Sequence, residues 1–217
     1  MAKIQTNPKK WKFVGGRLCL DFINTVGGRL SPNTVLRDKL TGYQDLLEWS
    51  RLAGTASVTE SRELDRLAES RRRQAEAILA KAILLREALY RIFKSAAEHR
   101  RPRPADLDLL SQELRAARNR QHLIHTSRAF SWTFDDGEPS LDRILWPVSL
   151  SAADLLTSGP LSRLRQCGGE DCGWMFLDTS RNRSRQWCDM QDCGNRAKVR
   201  RFRKRQQTTH KRANAAK

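Results

Sequence analysis

The chain has 217 residues, 39% of them hydrophobic, with 41 Lys or Arg against 24 Asp or Glu and a formal net charge of +17. This size suggests one large domain or two modest ones with enough apolar residues for a core, and the charge favours a polyanionic partner. No apolar run approaches the roughly 20 residues of a membrane span, and the polar segment Met1–Lys12 is unlike a secretory signal. We therefore expect a cytoplasmic protein without a membrane partner, whose thiols stay reduced.

The first apolar segment, residues 17–25, lies between two glycine pairs, and its length does not decide between a strand and a helix. Asp21 and Asn24 are polar residues inside it, and buried polar groups need partners. They share one face only if the segment is helical. Two interpretations remain open: the side chains tie helices or loops together, or they line a ligand pocket in a sensor domain. Cys19 is interpreted as a buried small hydrophobic residue.

Helices dominate the next part of the sequence. The patterns Thr41-x-x-Gln44 and Ser57-x-x-Glu60 resemble capping boxes, so each predicts the start of a helix. Apolar residues at helical spacing resume after the arginines at 71–73 and continue to Phe93. A further helix is predicted over residues 105–117.

The pattern changes after this helix. Residues 121–134 alternate like two short strands, and Asp135-Asp136-Gly137 is typical of a turn. Residues 141–156 return to helical spacing, although Pro147 should kink or break the first half. The fold class that these elements predict is α+β: a mostly helical N-terminal domain with a small antiparallel sheet.

Ser158-Gly159-Pro160 marks a domain boundary, because a helix stop is followed by a breaker where the charge density rises. Residues 161–217 contain 15 basic and five acidic residues, a net charge of +10. We predict one domain over residues 1–160 and a second over residues 161–217.

Two cysteine pairs in the second domain have the spacing C-x4-C-x15-C-x4-C, which is typical of a four-thiolate zinc site: Cys167, Cys172, Cys188 and Cys193. Four unrelated thiols and an iron–sulfur cluster are the alternatives. Four protein ligands leave no open position for water or substrate, so we expect one structural zinc ion per chain. No nucleophile elbow, glycine-rich phosphate loop or catalytic metal pattern is present, and we expect no enzyme activity.

The expected layout of this domain is a zinc knuckle, a hairpin and a helix that starts near Cys193, which is treble-clef-like. Zinc would hold together a segment too small to bury a core of its own. The predicted satellite cluster around the metal consists of Trp174, Phe176, Trp187, Val199 and Phe202.

The helix after Cys193 is strongly basic. Asn195, Val199, Phe202 and Gln206 form one narrow stripe, which we expect to dock on the finger core, while the basic residues cover the remaining surface. The alternatives are a solvated charged helix, a membrane surface or an RNA partner. The residues predicted to contact DNA are Arg196, Lys198, Arg200, Arg201, Arg203, Lys204 and Arg205 of the helix, and Arg181, Arg183 and Arg185 of the preceding loop.

The string Cys193-Gly194-Asn195-Arg196, with the cysteine spacing and Cys172-Gly173-Trp174, resembles the CGNR zinc-finger family. The segment Leu18-x-Leu20-Asp21-Phe22-x-Asn24-Thr25 is similar to the start of the ABATE domain, which usually precedes that finger. The resemblance implies an α+β domain, a treble-clef finger and a bacterial, stress-related transcription regulator.

The function predicted from the sequence is transcription regulation by binding of double-stranded DNA through the zinc finger and the basic helix. The N-terminal domain would bind a small-molecule effector through Asp21 and Asn24 or form a homodimer. The alternative is an RNA- or ribosome-associated zinc-binding protein. A nuclease is disfavoured because no histidine lies beside the finger.

Overall fold

A computed structural model describes residues 11–30, 37–135, 137 and 139–215, with side chains up to Gln207. The α-helices are α1 (Leu18–Ile23), α2 (Tyr43–Leu52), α3 (Val58–Ser70), α4 (Arg72–Ala97), α5 (Pro104–Asn119), α6 (Leu145–Thr157) and α7 (Asn195–Ala215). The strands are β1 (Val26–Gly27), β2 (Arg37–Asp38), β3 (Gln121–His125), β4 (Phe130–Phe134), β5 (Leu164–Gln166) and β6 (Met175–Leu177). The pairs β1–β2, β3–β4 and β5–β6 are antiparallel, which confirms the predicted α+β class.

The core forms around α1, which packs against α4 and α6, while α5 covers both of those helices. Residues 17–25, for which the sequence left strand and helix open, form α1 and its C-terminal cap. Cys19 is completely buried, as predicted, and burial raises the pKa of its thiol to about 12, so that it stays neutral. The long helix α4 contributes a stripe at spacings of three and four residues, including Leu85, Leu89 and Ile92.

The helix starts follow the predicted cap chemistry with one shift. Ser57 and Glu60 form the predicted capping box at the start of α3. At α2 the prediction is wrong by one residue: Gly42 is the N-cap, and the Asp45 carboxylate accepts from its backbone N–H at 3.1 Å. A residue without a side-chain cap can serve there because the acidic third residue of the helix supplies the acceptor.

The helix predicted over residues 141–156 is interrupted in its first half, as predicted from Pro147. A 3-10 turn, Leu141–Ile144, leads into the helix, and α6 then continues from Leu145 to Thr157. Pro147 occupies the third position of α6, where a backbone N–H would be one of the unpaired donors of a helix start, so its absence costs little.

The hairpin β3–β4 confirms the two predicted short strands, with Leu123 opposite Trp132 and His125 opposite Phe130. These residues share one face, since directly opposite residues in an antiparallel pair point the same way. The face is open to solvent, because Phe130 is 70% exposed and Trp132 is 65% exposed. Asp136 of the predicted turn lies outside the described residues.

A buried guanidinium fixes the β1–β2 pair to the long helix. Arg86 of α4 donates two hydrogen bonds to the Asp38 carboxylate, at 2.7 and 2.6 Å, and a third to Thr25. A bidentate pair of this kind resists rotation of the carboxylate. The β1–β2 pair in turn receives the finger, because the Trp174 indole N–H donates to the Val26 carbonyl at 2.8 Å.

Asn24 ties α1 to β6 through both ends of its amide. Its Nδ2 donates to the Met175 carbonyl at 2.8 Å, and its Oδ1 accepts from the Met175 N–H at 2.9 Å. Asp21 accepts from the Gly15 N–H at 2.8 Å. Both polar side chains therefore have backbone partners. The effector-binding role of Asp21 and Asn24 stays a prediction.

The hairpin β5–β6 belongs to the same core as the helices. Leu164, Met175 and Leu177 are buried among the side chains of α1 and α4. The Leu177 N–H also donates to the Gly15 carbonyl at 2.9 Å. The sequence predicted that residues 161–217 are too few to bury a core and therefore depend on zinc. For this hairpin the prediction is wrong, because its side chains are buried in the core of the N-terminal domain.

Asp21 should make stability depend on pH. Burial raises its pKa from 3.8 to about 6. Between these values the folded chain holds a proton that the unfolded chain releases, so stability falls as the pH rises through this window and the full cost is present above pH 6. The Asp21→Asn variant lacks this ionisation. We expect the difference in unfolding free energy, wild type minus variant, to fall by up to about 3 kcal/mol between pH 4 and pH 7.

Urea unfolding of both proteins across this pH range measures the difference directly. The comparison cancels the titration of all other carboxyl groups. Parallel stability curves would show that the Asp21 carboxyl is not desolvated in the folded protein.

Candidate metal centre and nucleic-acid interface

The four predicted ligands come together in one buried cluster. The sulphur atoms of Cys167, Cys172, Cys188 and Cys193 all lie within 4.8 Å of one another, and no disulfide joins them. The Cys172 sulphur is 3.6 Å from that of Cys188, which is also 3.6 Å from that of Cys193. A tetrahedral ion with bonds of about 2.3 Å separates its sulphur ligands by about 3.8 Å. The cluster therefore fits a single four-coordinate metal ion.

The first cysteine pair lies at the tip of the β5–β6 hairpin. Cys167 follows β5 directly, and its N–H donates to the Trp174 carbonyl at 2.8 Å. The chain then turns, with the Cys172 N–H donating to the Gly169 carbonyl at 3.0 Å. The knuckle is thus inside the hairpin, whereas the sequence placed a hairpin after it.

Gly169 allows the knuckle to close around the metal. A Cβ on this residue would lie 3.2 Å from the Cys172 Cβ and 3.3 Å from the Cys193 sulphur. Both distances are shorter than ordinary contacts, and the sulphur could not yield without leaving the cluster. A side chain at position 169 therefore opposes metal binding.

The last of the four cysteines, Cys193, is positioned by a π-helical turn, Met190–Gly194. Asp189 caps this turn by accepting from the Gln191 N–H at 2.8 Å. Lys12, far away in the sequence, binds the other oxygen of Asp189 at 2.6 Å, and this bond lowers the pKa of the carboxyl. The segment at residue 12 is thereby attached to the metal centre.

The Cys-Gly-Asn-Arg string has a physical role for each residue. A Cβ on Gly194 would lie 2.5 Å from the Met190 sulphur and 3.2 Å from the Trp187 ring, so a larger residue would have to displace the exposed Met190 side chain. Asn195 donates to the Gln191 carbonyl at 3.0 Å and joins the π turn to α7. Arg196 donates to the Cys193 sulphur at 3.1 Å, which raises the pKa of the guanidinium. A cation at this position offsets part of the thiolate charge.

The loop between the cysteine pairs is built around Arg185 and Asp178. Arg185 stacks over the Phe176 ring, at 4.3 Å from its centroid, and donates to the carbonyls of Trp187 and Cys188. Asp178 is fully buried and accepts from Ser180 and from the Arg185 N–H. The Ser180 hydrogen bond holds the pKa of Asp178 below its usual value.

The structure therefore gives Arg185, one of the predicted DNA contacts, partners inside the finger. The structural roles of Lys12 and Asp178 were missed. The string Asp178-x-Ser180 is an Asx-turn pattern that could have indicated the role of Asp178. No local pattern indicates the role of Lys12, because its partner lies 177 residues away.

The predicted satellite cluster is confirmed in part. Trp174 and Phe176 are buried with the cysteines, and Trp187 packs against them. Val199 and Phe202 are wrong, since they are 48% and 61% exposed. Ala197 is buried in their place. From Lys198 to Gln207 all described side chains of α7 are exposed, so this part of the helix does not pack into the finger.

The other basic residues that the sequence assigned to DNA lie on the surface. Arg196 is held at the metal centre and also pairs with Asp192 at 3.3 Å, while Arg200 pairs with Glu170. A groove of about 690 Å³ separates the inner side of α7 from Trp187 and Gly168. The remaining exposed cations are Arg181 and Arg183 in the loop and Lys198, Arg201, Arg203, Lys204 and Arg205 in α7.

The fold and the site together define a helical α+β domain that carries a four-cysteine zinc finger. A family model described as "Putative stress-induced transcription regulator", the ABATE domain, matches residues 16–159. A second model, the CGNR zinc finger, matches residues 163–206. The chain belongs to this family, which confirms the resemblance seen in the sequence. No curated protein matches the chain significantly. Among the described residues, no helix has the length and apolar character needed to cross a membrane.

Loss of one ligand should affect both parts of the chain. We expect Cys188→Ser to be purified without metal and to lose the order of the knuckle and of α7, because metal binding contributes on the order of 10 kcal/mol to small four-ligand modules. Since β6 also belongs to the helical core, the melting temperature of that core should fall by at least about 5 °C.

Metal analysis and hydrogen exchange measure these two effects. The matched control is Cys19→Ala, which removes a buried thiol outside the cluster and should keep the metal. Stoichiometric metal in Cys188→Ser would contradict the site, and unchanged exchange in α1 would contradict the shared core.

Proposed function

We propose that the chain is a transcription regulator that binds double-stranded DNA through α7, with one structural zinc ion per chain fixing the start of that helix. Four cysteine thiolates with tetrahedral spacing are the donor set that zinc prefers. The ion would supply only rigidity, since its coordination is complete. We propose no catalytic role and a cytoplasmic location.

The observation that carries this proposal is the exposure of α7. Over residues 195–207, Ala197 is the only buried residue, and six cations lie within residues 198–205. An α-helix with its side chains is about 10–12 Å wide, which matches the roughly 12 Å width of the DNA major groove. Arg181 and Arg183 extend the basic surface into the preceding loop.

RNA remains the alternative partner. Sequence-specific RNA binding usually stacks unpaired bases on aromatic residues. Among the described aromatic residues of the finger, Trp174, Phe176 and Trp187 are committed to the metal cluster, and Phe202 alone is exposed. A wide A-form minor groove also suits a single inserted helix poorly. These features favour duplex DNA.

The phosphate contacts of α7 should determine the salt dependence of binding. We expect the triple variant Lys198→Gln, Arg203→Gln, Arg205→Gln to lower the slope of log affinity against log salt by up to about 2.7, at about 0.9 per lost contact. Fluorescence anisotropy with a random 20-base-pair duplex measures the slope.

The matched control is the triple variant Arg71→Gln, Arg72→Gln, Arg73→Gln. It removes the same charge from three exposed residues at the junction of α3 and α4, and its slope should stay near that of the wild type. If both variants lower the slope equally, binding depends on the net charge of the protein and not on specific contacts of α7. Stronger binding to a structured RNA than to the duplex would favour the alternative.

We further propose that the N-terminal domain forms a homodimer through the apolar face of the β3–β4 hairpin. An isolated two-stranded hairpin is at best marginally stable in water, so a second copy would stabilise it. Residues 121–134 contain one Arg and no Lys, Asp or Glu in a chain of net charge +17. Repulsion between like charges of two copies is therefore low at this surface.

The variant Phe130→Thr, Trp132→Thr should shift the protein from dimer to monomer in sedimentation equilibrium, because about 300 Å² of aromatic surface per copy would be lost. Leu84→Gln, which removes an exposed apolar residue from α4, is the control and should stay dimeric. A wild type that is monomeric at micromolar concentration would contradict the dimer.

A further inference from the structure

The outward face of α7 carries an apolar and amide stripe that covers none of the residues described by the structure. Val199, Phe202 and Gln206 are spaced by three and four residues, so they lie on one side of the helix. At 100° per residue this side is about 140–180° away from Ala197, the residue that packs on the finger. The groove beside Trp187 is on the inner side, and the stripe faces solvent.

Cations border this stripe on both sides. On the helical wheel Lys198 and Arg205 fall on one flank and Arg203 falls on the other. Phosphate contacts require cations or hydrogen-bond donors, and the side chains of Val and Phe provide neither. A helix that bound only the backbone of DNA would have no physical need for two exposed apolar residues between its cations.

We propose that Val199, Phe202 and Gln206 read base edges in the major groove and give the protein a preference for A·T base pairs. This inference rests on the proposed function. A Gln amide bonds in two places to adenine N6 and N7, and apolar side chains contact the C5-methyl group of thymine. The flanking cations would contact the phosphates on each side of the groove and set the register of the helix.

The dimensions fit a short recognition site. Seven residues separate Val199 from Gln206, which corresponds to about 10 Å along the helix. This length spans about three base pairs at 3.4 Å per step. One helix should therefore determine about three adjacent positions.

Charge and the width of the apolar face favour DNA over two other partners of this stripe, a second copy of α7 and a membrane surface. A second copy of α7 would bring its own cations against the same flanks, which is unfavourable. A membrane surface would need a wider apolar face than two residues per two turns. The DNA groove alone offers phosphates at both edges and apolar methyl groups on its floor.

The test begins with selection of the sites that the wild-type protein prefers from a pool of random duplexes. Affinity for the selected site and for a scrambled duplex is then measured for the wild type, Phe202→Ala and Gln206→Ala. We expect each variant to lose about 5- to 150-fold in affinity for the selected site. Affinity for the scrambled duplex and the salt slope should not change.

Two controls separate base contacts from other effects. Arg203→Gln should weaken both duplexes alike and lower the salt slope by about 0.9, and Leu84→Ala, an exposed apolar residue remote from α7, should leave both affinities unchanged. Metal content equal to that of the wild type shows that the finger remains folded.

The outcomes distinguish this inference from the proposed function. A wild type that binds no duplex overturns both. Salt-dependent binding without a selected site, or a preference that survives in Phe202→Ala and Gln206→Ala, overturns base reading and leaves DNA binding intact. Dissociation of a dimer by Phe202→Ala would assign the stripe to a second copy and also overturn base reading. A selected site without adjacent A·T pairs overturns the stated preference.

Discussion

Three residues of β6 hold the two parts of the chain together. Side chains alternate between the faces of a strand, and here the two faces meet different cores. Met175 and Leu177 are buried in the helical core, whereas Phe176 is buried with the cysteines. The finger is therefore not a separate unit joined by a linker. One face of β6 packs against the metal ligands, and the opposite face packs in the core of the N-terminal domain.

Because of this arrangement, contacts from both parts of the chain fix the direction of α7. The helix starts at Asn195 and Arg196, both tied to the turn that carries Cys193. That turn is held to the N-terminal segment through Lys12 and Asp189. Asn24 links β6 to α1 by two hydrogen bonds to one peptide unit. A change that stabilises or loosens α1 would thus act on the base of α7, and under the proposed function this contact could regulate DNA binding directly.

Local chemistry allowed much of the structure to be predicted. The Ser57 capping box, the two strands of residues 121–134 and the cysteine ligands all depend on residues close in sequence or on metal-ligand spacing. Contacts between distant segments could not be predicted: the partner of Asn24 lies 151 residues away. For Asn24, burial was inferred correctly from its apolar neighbours, but the choice between a tie and a pocket required the fold.

The error at Val199 and Phe202 has a different cause. Helical periodicity identifies a face that differs from the rest of the helix, but it does not identify what covers that face. The assumption that an apolar stripe packs inward holds for a helix that lies along a body as long as itself. The 21-residue helix α7 is about 30 Å long, and between residues 195 and 207 only Ala197 is buried.

The distal part of α7 is held by its own backbone hydrogen bonds against the repulsion of its charges. Arg200, Arg203 and Lys204 are neighbours at spacings of three and four residues, and each such like-charged pair costs about 0.2–0.5 kcal/mol. The ion pair of Arg200 with Glu170 offsets part of this cost near the finger, where the helix is already fixed. Phosphates along a groove would remove the remainder. Under the proposed function, binding of DNA and the stability of this helix would therefore be coupled, because the metal centre fixes the first turn and phosphates would offset repulsion among the cations of the later turns.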